Sequence, residues 1–96
     1  MAKAYWVVAY REINDPNKLA AYGKLAGPAI QAGGGRALVR GTAVKTYESG
    51  LLQRTVVIEF DSLEQALATH ESPAYPEALT ALDGSAVRDM RVVEGA

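Results

Sequence analysis

Arg54-Thr55-Val56-Val57-Ile58-Glu59-Phe60 is a continuous apolar run, rich in β-branched residues, with one carboxylate near its end. Asp61-Ser62 stops it and starts a helical pattern. A run of this length between turn signals reads as a strand buried on both faces. It is expected to be a central strand of the one sheet in the chain.

The strand is the third of four. Ala4–Arg11 is the first, and both of its alternating sets are apolar: Tyr5, Val7 and Ala9 on one face, Trp6, Val8 and Tyr10 on the other. Asn14-Asp15-Pro16 starts a helix, with Asp15 as cap and Pro16 at the first helical position, where a missing N–H costs nothing. Leu19, Tyr22, Ala26, Ala29 and Ile30 recur at helical spacing. Gly27-Pro28 predicts a kink or break, and Gly33-Gly34-Gly35 the end of the helix. Arg36–Val44 is the second strand, extended to Tyr47 at most, with a bulge expected at Gly41-Thr42-Ala43. Ser49-Gly50 suggests a two-residue hairpin loop. Glu48 then faces Leu51, and Arg40 lies opposite Glu59 if no bulge shifts the register.

Ser62 caps the next helix, with Gln65 as capping-box partner and Leu63, Ala66, Leu67 and His70 on its inner stripe. Ser72-Pro73 starts a further short helix through Leu79 and Leu82, closed by Gly84. Arg88–Val93 is the last strand. The order strand, helix, strand, strand, helix, strand is the ferredoxin-like βαββαβ arrangement, an α+β fold with a four-stranded antiparallel sheet and helices on one face. Residues 1–96 make a single domain of this kind. Helices cover one sheet face only, so a second subunit is the simplest cover for the other apolar face, and a homodimer is expected.

Composition narrows the function classes. Hydrophobic residues make up 49% and charged residues 22%, which suits a folded domain rather than a disordered one. The net charge of −1 with scattered Lys and Arg argues against nucleic acid as a partner. No run approaches membrane-spanning length, so no membrane partner is expected. The apolar start is short, aromatic and followed by Arg11-Glu12, so it reads as a strand, not a signal peptide, and the expected location is cytoplasmic. Cys is absent and His70 is the one histidine, which leaves no disulfide and no metal cluster. No dinucleotide fingerprint is present, and one His without supporting residues is no heme signature, so no cofactor is expected.

Tyr5-Trp6-Val7-Val8, Gly27-Pro28-Ala29-Ile30, Gly34-Gly35-Arg36-Ala37-Leu38-Val39-Arg40-Gly41, Arg54–Phe60 and Ser72-Pro73-Ala74-Tyr75 together resemble the domain of unknown function 1330 family over nearly the whole chain. The resemblance implies a dimeric α+β barrel, in which two ferredoxin-like sheets close face to face. The wider superfamily includes heme-free monooxygenases, lactone isomerases and heme-using peroxidases, and implies a ligand cleft between sheet and helices. The chain departs from the family pattern at Gln31-Ala32-Gly33, where a His usually precedes the glycines, and at His70-Glu71, where an aromatic residue is usual.

Arg40 and Glu59 are the leading candidate pair, since each is a charge within an apolar strand and neither is affordable there alone. In a site, Arg40 holds an anionic or carbonyl ligand and Glu59 orients it or acts as base. The alternative is a salt bridge that fixes register, with Arg36 and Arg54 as other partners for Glu59. His70 is a candidate general base or axial ligand because histidine is the side-chain type that ordinarily changes charge near neutrality. Tyr22 and Tyr75, from the helical layer, are candidate ligand-binding residues, whereas Trp6 and Tyr10 are expected in the core. Three functions follow: a small-molecule-binding protein, a cofactor-independent monooxygenase or isomerase acting on a small conjugated substrate, and a purely structural dimer.

Overall fold

The element that holds the sheet together is Ala4–Ile13 (β1), which pairs on both sides. The computed structural model describes residues 2–96. Along the chain β1 is followed by Pro16–Ala32 (α1), Arg36–Thr42 (β2), Arg54–Phe60 (β3), Leu63–Glu71 (α2), Ala74–Leu82 (α3) and Ala86–Glu94 (β4). The sheet order is β2-β3-β1-β4 and each neighbouring pair is antiparallel. This is the expected ferredoxin-like topology, with β3 and β1 at its centre.

Alternation assigns the two faces. Trp6, Val8 and Tyr10 of β1 and Ile58 and Phe60 of β3 are buried under the helices. Tyr22, Ala26 and Ala29 of α1, Ala66 and Thr69 of α2, and Tyr75, Ala78 and Leu82 of α3 meet them. The indole N–H of Trp6 donates to the Ala66 carbonyl at 3.0 Å, so the largest buried side chain carries no unmet donor. The inner stripe of α2 differs from expectation: Leu67 is exposed, and Thr69 is buried with its hydroxyl donating to the Gln65 carbonyl at 2.8 Å.

Two helix ends follow the sequence closely. Asp15 Oδ1 accepts from the N–H groups of Asn17 and Lys18 at 3.0 and 3.2 Å, and Ser62 Oγ accepts from the Gln65 N–H at 3.1 Å. Ser72 does not cap α3 as expected. Its hydroxyl donates to the Thr69 carbonyl at 2.7 Å and closes α2 instead, while Pro73 takes the cap position of α3, which has no side-chain cap bond.

Helix α1 also runs through Gly27-Pro28 without the expected break. The clash that normally disfavours helix before proline involves the preceding Cβ, and Gly27 has none. Pro28 lies on the exposed face, where water can serve the carbonyl it leaves unbonded. The helix ends at Gly33-Gly34-Gly35, where Gly34 has a φ of 88°. Gly35 packs so closely that a Cβ there would lie 2.5 Å from Ile30 Cγ2 and 2.9 Å from the Phe60 ring.

The β2–β3 connection overturns the expected register. The ladder closes where the Ala43 N–H donates to the Gln53 carbonyl, so residues between 43 and 53 form a long loop rather than a two-residue hairpin. A tight turn does occur within it, with the Gly50 N–H on the Tyr47 carbonyl at 3.0 Å, but the flanking residues do not pair. The bulge lies between Ala37 and Val39, not at Gly41-Thr42-Ala43. Arg40 consequently pairs with Val56, and Glu59 pairs with Arg36. An odd-numbered slip moves a side chain to the opposite face, and that is what separates Arg40 from Glu59.

Gly35→Ala should destabilise the fold by about 1–3 kcal/mol, because the added methyl overpacks Phe60 and Ile30, whereas Asp15→Ala should cost about 1 kcal/mol through the lost cap. Urea unfolding followed by circular dichroism measures both.

Candidate functional site

Between α1 and the helix-covered sheet face lies a cavity of about 320 Å³. Its floor is Trp6, Val8, Val56 and Ile58, and its roof is α1 from Pro16 to Ile30. Part of the roof is bare: Gly23 and Gly27, about one helical turn apart, line the space, and a Cβ at either would meet nothing within 4 Å. A helix interior with two glycines gives up roughly 1 kcal/mol at each relative to alanine, so the opening is maintained against local propensity.

The polar lining is cationic. Arg40, Arg54 and Arg88 line the cavity together with Tyr10 and Tyr22, and no carboxylate does so among the described residues. Register places the three guanidinium groups. Arg88 pairs with Tyr10 across β4–β1, and Arg54, opposite Thr42, lies one residue beyond the Ala9–Thr55 pair, in the row of Tyr10. Arg40 lies in the next row with Val56, Val8 and Met90. The Trp6–Ile58 row follows. At about 3.3 Å per residue, the Arg54–Tyr10–Arg88 row and Trp6 are roughly 13 Å apart. Arg54 and Arg88 therefore lie at one end of the cavity, Arg40 at its middle, and the Trp6 end is apolar.

The six arginines divide by face. Arg36, Arg91 and Arg11 have carboxylate partners: Arg36 with Glu59 and Asp61 at 2.9 Å each, Arg91 with Asp89 at 3.1 Å, and Arg11 with Asp89 at 3.4 Å. Arg40, Arg54 and Arg88 have no ion pair among the described residues. Arg88 is held by aromatic groups instead. Its guanidinium donates to the Tyr22 hydroxyl at 3.1 Å and lies 5.0 Å from the Tyr22 ring centre and 5.7 Å from that of Tyr10. The Tyr22 and Tyr75 hydroxyls are 2.7 Å apart. Burial, reinforced by Tyr75, holds the Tyr22 phenol proton well above its ordinary pKa. Burial works against the Arg88 charge, but the two tyrosine oxygens outweigh it and the pKa is raised.

Of the residues expected from sequence, Arg40 and Tyr22 meet in the cavity. Tyr75 is fully buried behind Tyr22 and touches the cavity only through that hydroxyl pair. Glu59 is on the helix-free face, where Arg36 and Lys3 hold its carboxyl below the ordinary range and the Tyr5 hydroxyl donates to it at 3.3 Å. His70 packs tilted against Tyr75 and edge-on to Trp6, with ring centres at 4.9 and 5.8 Å, and does not line the cavity. Sequence reasoning missed Arg88, Gly23 and Gly27; Trp6 and Tyr10 are buried in the core as expected, and they also line the cavity. Arg88 was accessible through alternation, because it shares parity with Met90 and Val92 on the helix side of β4.

Four antiparallel strands in the order β2-β3-β1-β4, with a cavity under the first helix, define a ferredoxin-like α+β protein. The chain belongs to the family described as domain of unknown function (DUF1330), whose model matches residues 3–96. It is similar to a protein of unknown function from Rhodopseudomonas palustris, at 16% identity and a TM-score of 0.73, over 99% of this chain and 83% of that one. A dimeric ferredoxin-like protein of unknown function from Thermobifida fusca matches at 16% identity and a TM-score of 0.66, over 99% and 91%. A candidate antibiotic biosynthesis monooxygenase from Caulobacter crescentus matches at 14% and 0.64, again over 99% and 91%. No curated protein matches. These likenesses establish the fold.

The pKa directions give two pH signatures. The unfolded chain ionises Tyr22 near pH 10.0 while the folded chain keeps the proton, so stability should fall as pH rises above that value. Tyr22→Phe should remove this alkaline loss. Glu59 and Asp61 are depressed mainly by Arg36, so their contribution is present at neutrality and is lost as pH falls below about 4.5. The difference in urea midpoint between wild type and Arg36→Gln should close over that acid range.

Proposed function

We propose that this protein binds a small molecule in the cleft between α1 and the sheet, and that it works as a homodimer with the two helix-free sheet faces closed on each other as an α+β barrel. The observation that carries the binding reading is the cavity, whose volume falls in the range of small-ligand sites. Arg40, Arg54 and the half-buried Arg88 have no ion pair among the described residues, which leaves the lining positively charged. A dry, fully packed sheet–helix interface would instead have supported a purely structural dimer.

The dimer reading rests on the other face. Tyr5, Val7 and Val57 there are only partly covered, and Val39 and Val93 are each 48% exposed. A contiguous apolar surface of this kind on one side of a sheet favours association, and the Thermobifida fusca protein of the same fold is described as dimeric. In that arrangement Glu59, Arg36 and Tyr5 contribute to the subunit contact rather than to ligand binding.

A monooxygenase or isomerase reading draws on the description of the Caulobacter crescentus protein. It is the weaker of the two. Proton transfer needs a group that titrates near the working pH within reach of the substrate, and the cavity lining holds neither carboxylate nor imidazole among the described residues. Glu59 and His70, the two candidates, lie elsewhere.

Light scattering at micromolar concentration should give twice the 10.2 kDa mass of the chain, and a monomer would contradict the barrel. Crystals of protein purified from its host should show density for a co-purified molecule between α1 and the sheet. Gly23→Leu, which fills the roof, should abolish the corresponding adduct in native mass spectrometry. A cleft holding only water, with no adduct in either protein, would contradict the binding reading.

A further inference from the structure

The direction of one hydrogen bond shows what the cavity offers a ligand. Tyr75 is fully buried, and the one acceptor within reach of its hydroxyl proton among the described residues is the Tyr22 oxygen, since Arg88, which also acts on Tyr75, can only donate. A tyrosine hydroxyl has one proton and accepts through its oxygen. Were Tyr22 the donor, the Tyr75 proton would be buried with no acceptor, which costs a full desolvation penalty. Tyr75 is therefore the donor. The Tyr22 oxygen accepts from Tyr75 at 2.7 Å and from Arg88 at 3.1 Å, which uses its accepting capacity. Its own proton is left over, on a residue that lines the cavity.

We propose that the cavity selects a small amphiphilic monocarboxylate, whose head group takes the free Tyr22 proton and a guanidinium N–H of Arg88 and whose apolar body extends along Val8 and Val56 toward Trp6 and Ile58. The proposal rests on the cleft-binding reading above and names its ligand class. A carboxylate is acceptor-only and can take several donors at once. Tyr22 and Arg88 supply fixed donors from two different elements, α1 and β4. Arg54 adds positive charge in the same row, and Arg40 adds more one row further along the cavity, beside Val8 and Val56. With three guanidinium groups and no carboxylate in the lining among the described residues, the fixed charge of the cavity is positive, which favours an anion over a neutral ligand and disfavours a cation. The opposite end offers an indole ring and the side chains of Ile58 and Ile30, which favour a hydrocarbon chain or a single aromatic ring over a second charge. A dicarboxylate is disfavoured for this reason.

Octanoate and 1-octanol are matched probes, and isothermal titration calorimetry of the full chain reads both. Octanoate should bind at least tenfold more tightly than 1-octanol, because hydrogen bonds to a charged group are worth roughly ten- to a hundredfold. Raising the salt concentration should weaken octanoate and leave 1-octanol unchanged. Tyr22→Phe should lower octanoate affinity roughly tenfold while 1-octanol affinity holds, a split that mere loosening of the cavity would not produce. Arg88→Met should erase the preference for octanoate. If Arg88→Met does not fold, the Tyr22→Phe split and the salt response decide the matter. Equal binding of the two probes would overturn the carboxylate assignment and leave the cleft reading standing. Binding of neither would overturn both. Octanoate affinity unchanged in Tyr22→Phe would overturn the assigned seat.

Discussion

An arginine on a sheet carries a charge that must be answered on whichever face its register dictates. In this protein the answer differs by face. On the helix-free side, Glu59, Asp61 and Asp89 answer Arg36, Arg91 and Arg11. On the helix side, Arg40, Arg54 and Arg88 meet aromatic rings, hydroxyls and open space. The β2–β3 register, with its bulge between Ala37 and Val39, decides this division for Arg36 and Arg40, and alternation along β3 decides it for Arg54 and Glu59. Had Arg40 been paired with Glu59, it would have faced the helix-free side, and the cavity would have lost one of its arginines.

The roof obeys a related constraint. Helix α1 carries its core contacts through Tyr22, Ala26 and Ala29 and leaves Gly23 and Gly27 over the void. Small residues at those points forgo both helix propensity and buried apolar area. A chain of 96 residues has little stability to spare, so the cavity stands out as a structural expense that a ligand would offset. Gly27 has a second effect, since it lets Pro28 continue the helix. The Tyr75–Tyr22–Arg88 chain then fixes the side wall by linking α3, α1 and β4 through hydrogen bonds.

Much of the architecture was legible in the residues. The two-sided apolar pattern of Ala4–Arg11, the Asp15-Pro16 start and the Gly33-Gly34-Gly35 stop specify strands and helix ends by local chemistry, and those elements form. Pairing register was less legible, because it depends on the length of a loop. Ser49-Gly50 is good turn chemistry, yet the ladder stops at the Ala43–Gln53 contact, before the turn is reached. The bulge at Leu38 carries no glycine or proline to mark it. The site was half legible for the same reason. Arg40 and Tyr22 stood out by type and period, but Arg88 becomes informative only once its row across β1 is known. Glu59 was a conspicuous charge with a structural partner, Arg36, four residues before the arginine first matched to it.

Trp6 is the one tryptophan in the chain and lies on the cavity floor at the apolar end. The account places the tail of a bound carboxylate against it. Fluorescence of Trp6 titrated with 8-bromooctanoate, whose heavy atom sits at the tail, measures that contact directly. The account predicts quenching that saturates with ligand and is competed away by octanoate. Quenching that stays linear in concentration, or is unaffected by octanoate, would contradict it.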